Sequence, residues 1–466
     1  MFENASGISR RAIVGWLVAL SLLAFAGRTA TIVYQRAWQK PNAMEHRSIA
    51  LSLVNGTGFS FGDFGYYGPS SVQSPPFPFL LAGMFKIFGV DTPPDGSLQG
   101  ANRAYFAILM LNAFAGAGLV WLTYLLARTL GGTVLSGLFA AAAVAIWPSQ
   151  VYAARHVQAI VLITCSLAGM IILFYRALRT GSRGAWIGYC VVGTLATLTE
   201  PVFLPALAIS GLLVLFWRGL AWNIRLRNAG ILLLTTFIVI GPWTLRNRIV
   251  HEKWVPIKAT FWVNVWKGNN DYATGTDRTA MSDEAKARLG SVANQLDDSQ
   301  VMEYRYDGQR QYVMLDPSQQ SRLRNQPEVV QEEVFKELAV GWIEQHPRRY
   351  LELCGIRLFK TLTIDWDNPK AENIFYQISR FVLLGLSSAG LVVAVRQKWS
   401  LVFPAVLVLT ALATYTLTVT AARFSIPFEP LQLCLAAAVV AVPFERRNQP
   451  SQAPISMGWL PAGSNQ

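Results

Sequence analysis

The feature that most constrains this chain is a succession of long, nearly uncharged apolar blocks. Several of them, such as 12–33, 104–126, 157–175 and 375–395, approach the ~20 residues that carry a helix across about 30 Å of hydrocarbon. They are apolar all round rather than striped, which a surface helix of a soluble domain is not. Only 14% of the residues are charged and 52% are hydrophobic, well short of the roughly one quarter charged in soluble domains. Lipid offers the backbone no hydrogen-bond partner, so the spans are expected to be helices. The expected class is an all-α polytopic membrane protein of about ten spans. They fall near 12–33, 104–126, 133–147, 157–175, 185–199, 202–217, 229–245, 375–395, 401–420 and 426–443. Residues 76–90 are apolar but short, as in a re-entrant or interfacial helix.

The formal charge is +13, which in a soluble chain would point to nucleic acid. Here the excess Lys and Arg flank apolar blocks, which is the positive-inside pattern. With the N-terminus inside, the inner loops carry Arg128, then Arg176, Arg179 and Arg183, then Arg218, Arg225 and Arg227, then Arg396 and Lys398. Arg446 and Arg447 follow the last span. The expected location is the plasma (inner) membrane, multi-pass, with both termini cytoplasmic and no nucleic-acid partner. Ala24-Phe25-Ala26 resembles a signal-peptidase site, but the apolar run continues past it, which favours a retained span. Cys165, Cys190, Cys354 and Cys434 have no metal-ligand spacing and imply no disulfide framework.

The organisation expected from this pattern is a cytoplasmic N-terminus and first span over 1–33 and a first extracytoplasmic loop over 34–103. A multi-span core covers 104–245, a second extracytoplasmic segment 246–374, C-terminal spans 375–443 and a Pro/Ser/Gln-rich cytoplasmic tail 444–466. The second segment is too long for a simple connection. Its middle, about 271–330, is polar, a small ectodomain or a flap; residues 331–362 return to helical periodicity, broken at His346-Pro347, as in amphipathic helices on a membrane surface.

Four stretches then carry a family likeness. The first is Asn42-Ala43-Met44-Glu45-His46-Arg47 with Asn55-Gly56-Thr57-Gly58 and Ser74-Pro75-Pro76-Phe77-Pro78. The second is Gly241-Pro242-Trp243-Thr244-Leu245-Arg246-Asn247-Arg248, with Val255-Pro256-Ile257 and Lys267-Gly268-Asn269-Asn270 after it. The third is Trp342-Ile343-Glu344-Gln345-His346-Pro347-Arg348-Arg349-Tyr350-Leu351, and the fourth Arg423-Phe424-Ser425-Ile426-Pro427-Phe428-Glu429-Pro430. In order and spacing the chain resembles the GT-C glycosyltransferases, and within them the family 39 branch of protein mannosyltransferases and aminoarabinose transferases. The resemblance implies a sugar donor on a polyprenyl phosphate and an acceptor on the outer side. The chain departs from the branch at Asn42 and His46, where many members have Asp and Tyr, and at Glu200, where relatives often have Arg.

The chemistry such a transfer requires is a base for the acceptor hydroxyl and cations for the departing phosphate. Glu45 is the carboxylate in the first loop's opening turn and the expected catalytic base, with Asp63 in reserve. The bland reading of Glu45 is a solvated helix start paired with Arg47. Arg423, Arg246, Lys267 and Arg248 lie on the predicted outer face, against the positive-inside bias, and are the expected donor-phosphate ligands. Snorkelling to ordinary lipid phosphates is their bland alternative. His46, Tyr66, Tyr67, Trp262 and Asn269 are the expected sugar or acceptor contacts, against an interfacial aromatic belt for the aromatic ones. No metal site is expected, because no histidine pair has ligand spacing; a divalent ion lacks support. The expected function is a glycosyltransferase moving a sugar from a polyprenyl-phosphate donor to a hydroxyl of a lipid, glycan or protein, with inversion. The alternatives are a transporter or flippase for a lipid-linked glycan, or a catalytically inactive relative.

Overall fold

A computed structural model describes residues 8–39, 41–90, 102–277 and 315–445. It is helical almost throughout. Six helical stretches are long and apolar enough to cross a membrane: Arg10–Tyr34 (α1), Asn102–Leu130 (α4), Ile160–Thr180 (α7), Trp222–His251 (α10), Ile374–Arg396 (α15) and Ala422–Ala441. The last combines a 3-10 segment, Ala422–Phe428, with the start of helix Glu429–Glu445 (α17). The other four expected spans are shorter helices: Val134–Ile146 (α5), Arg183–Thr199 (α8), Leu204–Leu215 (α9) and Val402–Leu417 (α16). The short apolar block after the first loop is helix Pro76–Phe88 (α3), and Pro148–Ala153 (α6) follows α5.

Sequence explains the joints. Ser9 caps α1 by accepting from the Ala12 N–H, the ordinary role of Ser ahead of a helix. Pro148 stops α5, leaving its last carbonyls without helical partners. Arg28 of α1, fully buried, supplies them: its guanidinium donates to the carbonyls of Val144 and Ala145 at 3.2 and 3.0 Å. Gly116 of α4 makes the room, since a Cβ there would overlap the Arg28 side chain. A second buried charge joins the C-terminal helices, where Arg380 of α15 faces Glu429 of α17 at 3.6 Å. The Glu429 carboxylate also accepts from Ser149 and Gln150 of α6. Removing one partner of such a pair leaves an uncompensated buried charge, a cost of about 3–5 kcal/mol.

The described parts of the two polar segments pack together beside the apolar helices. In the first loop, helix Met44–Val54 (α2) leads through Gly56 and Gly58, both at positive φ, into an antiparallel hairpin, Ser60–Asp63 (β1) and Tyr66–Pro69 (β2). This hairpin is a departure from the all-helical expectation. In the second segment, Phe261–Gly268 (α11) and Pro317–Leu323 (α12) precede two longer helices, Glu328–Gln345 (α13) and Pro347–Leu362 (α14), which break at His346 as the sequence indicated. Phe64 of the hairpin turn packs with Val265, Trp266, Phe335 and Trp342 in a small core of its own. The polar stretch expected over 271–330 falls largely outside the described residues.

Candidate functional site

The hairpin and the strand-like run 255–259 are knitted together by the end of α10. Trp243 donates its indole N–H to the Ile257 carbonyl at 2.9 Å. The Asn247 amide donates to the Val255 and Ile257 carbonyls and its oxygen accepts from Ser71 Oγ. Ala259 N–H donates to Ser71 O at 2.9 Å. The stretches 70–73 and 257–260 are thus joined at Ser71 and Ala259. Val72, Ala259 and Thr260 line a cleft toward α13, while Gln73 reaches Glu45 of α2 and Lys258 acts electrostatically on His46.

There lies Glu45. It sits in the first turn of α2, 7% exposed, and Gln73 Nε2 donates to its Oε2 at 3.3 Å. His46 follows, its ring edge-on to Phe77 with centroids 5.0 Å apart and its Nδ1 enclosed without a partner. Burial pulls the His46 imidazole down to about 4; Lys258 and Arg423 push the same way, and Glu45 opposes them. Lys258 of the second segment and Arg423 of the 3-10 turn before α17 thus act electrostatically on His46, as does Glu45 beside it in the first loop. Arg423 and Glu200, the residue that ends α8, both act electrostatically on the Tyr415 hydroxyl.

Arg423 also borders a ring of carboxylates. Its Nη2 is 3.8 Å from Asp277 Oδ2. Asp365, 2% exposed, is pushed up to about 6 by burial and by the charges of Asp277 and Asp367, with Lys360 opposing. Lys360 bridges Asp367 and the Thr274 carbonyl at 2.6 and 2.9 Å. Among the described residues, no group of three His, Cys, Asp or Glu side chains is arranged to hold a metal ion.

The structure distributes the other expected site residues differently. Arg246 is occupied by protein: its guanidinium donates to Ser70 O at 2.7 Å, Phe59 O at 3.0 Å, Ser71 Oγ and Asn247 Oδ1. It also lies over the Trp243 ring, so it clamps the hairpin base instead of facing a carrier. Arg248 lies over Trp254 at 6.0 Å. Lys267 is half-buried in the last turn of α11. Asn269 is fully enclosed, its side chain bonded to the Val265 carbonyl and to Arg357, which removes it from any sugar. Tyr67 is exposed and bonds Ser52 Oγ through its hydroxyl at 2.7 Å. Tyr66 lines the cleft with Asp63, Glu328 and Glu332, whose free space is about 30 Å³, room for one or two waters. Trp262 lies under Lys336 of α13 and gives its backbone N–H to Glu332.

Two residues escaped the sequence reading. Lys258 carries no motif, and its influence on His46 emerges only once the second segment folds back beside the first loop. Arg357 is fully buried and ties α14 to the Thr416 and Gly268 carbonyls at 2.6 and 2.7 Å. Gly268 suits that approach, because a Cβ there would collide with the Thr418 carbonyl.

No family model matches this sequence, and no curated protein matches it. Solved structures do. The oligosaccharyltransferase of Archaeoglobus fulgidus, in its apo form, superposes with a TM-score of 0.50 at 14% identity over 95% of this chain and 51% of its own. The same enzyme tethered to an acceptor peptide gives 0.51 at 14% identity, over 94% of this chain and 50% of its own. ArnT of Cupriavidus metallidurans bound to undecaprenyl phosphate is also similar, at 12% identity over 94% of this chain and 79% of its own, with a TM-score of 0.38. The chain spans about half the length of the archaeal enzyme. What the archaeal likeness establishes is the fold: a helical membrane architecture of the GT-C kind.

Proposed function

We propose that this chain is a membrane glycosyltransferase that takes a sugar from a polyprenyl-phosphate donor and passes it to a hydroxyl of an acceptor on the extracytoplasmic side. The observation that supports the reading is an enclosed carboxylate, Glu45, next to a buried His46 on which Lys258 and Arg423 act electrostatically, in a GT-C-like fold. The archaeal enzyme, which has been solved in complex with a dolichol-phosphate, makes the carrier class the natural candidate.

In this reading Glu45 accepts the proton of the acceptor hydroxyl as its oxygen attacks the anomeric carbon. The bond from that carbon to the phosphate oxygen breaks, and the phosphate leaves with the electron pair. Arg423 and Lys258 stabilise the charge that grows on it. One displacement inverts the anomeric centre, and one carboxylate suffices because no covalent intermediate forms. Gln73 orients the base. Neutral His46 adds no positive charge to the pocket and offers a polar ring beside Glu45. Arg246 serves the site from behind, by fixing the loop that carries Gln73.

The test is transfer by the purified chain in liposomes containing polyprenyl-phosphate sugars and extracted envelope acceptors. Mass spectrometry of the lipids and glycans of a deletion strain identifies the sugar and acceptor to use. The expected result is a transferred sugar, reduced about a hundredfold or more in Arg423→Gln. Normal envelope glycans in the deletion strain, with no transfer in vitro from the donors tested, would contradict the proposal.

A further inference from the structure

The counter-charge on Arg423 is itself informative. Arg423 and Asp277 are partly exposed, at 38% and 21%, and stand 3.8 Å apart. That is the loose end of ion pairing, and such pairs at partly solvated sites contribute little. Asp277 nevertheless is held in place: its N–H donates to the Thr420 carbonyl at 2.7 Å, three residues before Arg423. Its charge disfavours that of the buried Asp365. Lys360 is committed to Asp367 and to the Thr274 carbonyl. A carboxylate held at 3.8 Å from a partly exposed guanidinium is bound to it weakly, and Arg423 is the cation there that a stronger anion can claim.

We propose that Asp277 is a placeholder for the phosphate of the lipid carrier, a specificity-determining residue that neutralises Arg423 in the empty site and is displaced from it by the incoming headgroup. This rests on the reading of Arg423 as a phosphate ligand. A phosphate presents more charge and more acceptor oxygens than a carboxylate, so it wins the guanidinium fork. The carboxylate left behind returns to Arg423 when the phosphate departs, which favours release of the spent carrier. The arrangement also sets a threshold: a weakly charged anion does not displace Asp277.

The experiment measures binding of a polyprenyl monophosphate to the full chain in nanodiscs, with inorganic phosphate as a competing probe that separates headgroup from tail. Asp277→Asn keeps the backbone bond to Thr420 and removes the competing charge. It is expected to bind the lipid about two- to fivefold tighter and to be inhibited by inorganic phosphate at correspondingly lower concentration. Asp277→Glu, with a longer reach toward Arg423, is expected to bind more weakly and gives a second arm should the Asn variant not fold. Glu344→Gln, at an exposed position of α13, changes the net charge equally away from Arg423 and is expected to leave affinity unchanged. Wild-type binding that depends on Arg423 but is not tightened by Asp277→Asn, or is tightened as much by Glu344→Gln, overturns the placeholder alone. Binding unaffected by Arg423→Gln overturns the phosphate reading and the placeholder with it.

Discussion

At the scale of the residue, Glu45 and His46 are neighbours with different assignments. His46, pulled down to about 4 by burial and by Lys258 and Arg423, is neutral at physiological pH. The unfolded chain binds its proton below about 6.5 and the folded chain does not, so His46 costs stability progressively as pH falls from there toward 4. Thermal midpoints of the purified protein across that window should fall less steeply in His46→Gln than in the wild type. Equal slopes would mean that the ring is not sequestered. The sequence singles out Glu45 because it is a carboxylate set between a span and a glycine-rich turn. It equally offers Arg246 as a carrier ligand, whereas the fold engages that guanidinium with protein groups. An outward cation after a span needs an anionic or carbonyl partner, and sequence does not say which; here it is the carbonyls of Phe59 and Ser70. Lys258 belongs to no motif, and only the bond of Ala259 to Ser71 brings its stretch of chain to the first loop.

At the scale of the element, the second segment is held to the first loop by α13. Glu328 and Glu332 stand on one face of that helix, four residues apart. Glu328 accepts from Ser70 Oγ and Ser71 N–H, and Glu332 from Trp262 and Val263 N–H. Burial pushes the Glu328 carboxyl up to about 7; its bonds to Ser70 and Ser71 work against this, as does Arg246, while Glu332 adds to it. A raised acid is favoured neutral in the fold, so its contribution is fully present below about 4.5 and lost as pH rises through 7. Glu328→Gln should flatten that dependence, seen as protease resistance of α13 between pH 5 and 8; a wild type with no such trend would refute it. Arg246→Gln strips partners from buried carbonyls and should destabilise the chain by about 2–3 kcal/mol, with transfer reduced through loss of the loop's position. Unchanged melting would show that the clamp is dispensable. The break between α13 and α14 was readable because proline cannot continue a helix. The hairpin was not: its strands are four residues long and its turn puts Phe64 at positive φ beside Gly65, an unusual residue for that position.

At the scale of the molecule, the length of the apolar blocks by itself dictates a helical membrane body, and the GT-C fold agrees with it. Four expected spans are short helices, α5, α8, α9 and α16; α5 ends at Pro148 and at the buried Arg28 guanidinium, a polar joint that hydropathy does not register. The charge pattern predicts that Tyr67 and Glu352, both exposed, lie outside the cell. A cysteine placed at either should react with a membrane-impermeant thiol reagent in intact cells; reaction only after permeabilisation would invert the topology. The central claim is that this fold brings a base from the first loop to a phosphate held by cations from distant segments. The most direct measurement is single-turnover transfer by Glu45→Gln from a polyprenyl-phosphate sugar, alongside its affinity for the carrier. The account predicts a rate lower by about a hundredfold or more with the fold and carrier affinity kept, and transfer at the wild-type rate would contradict it.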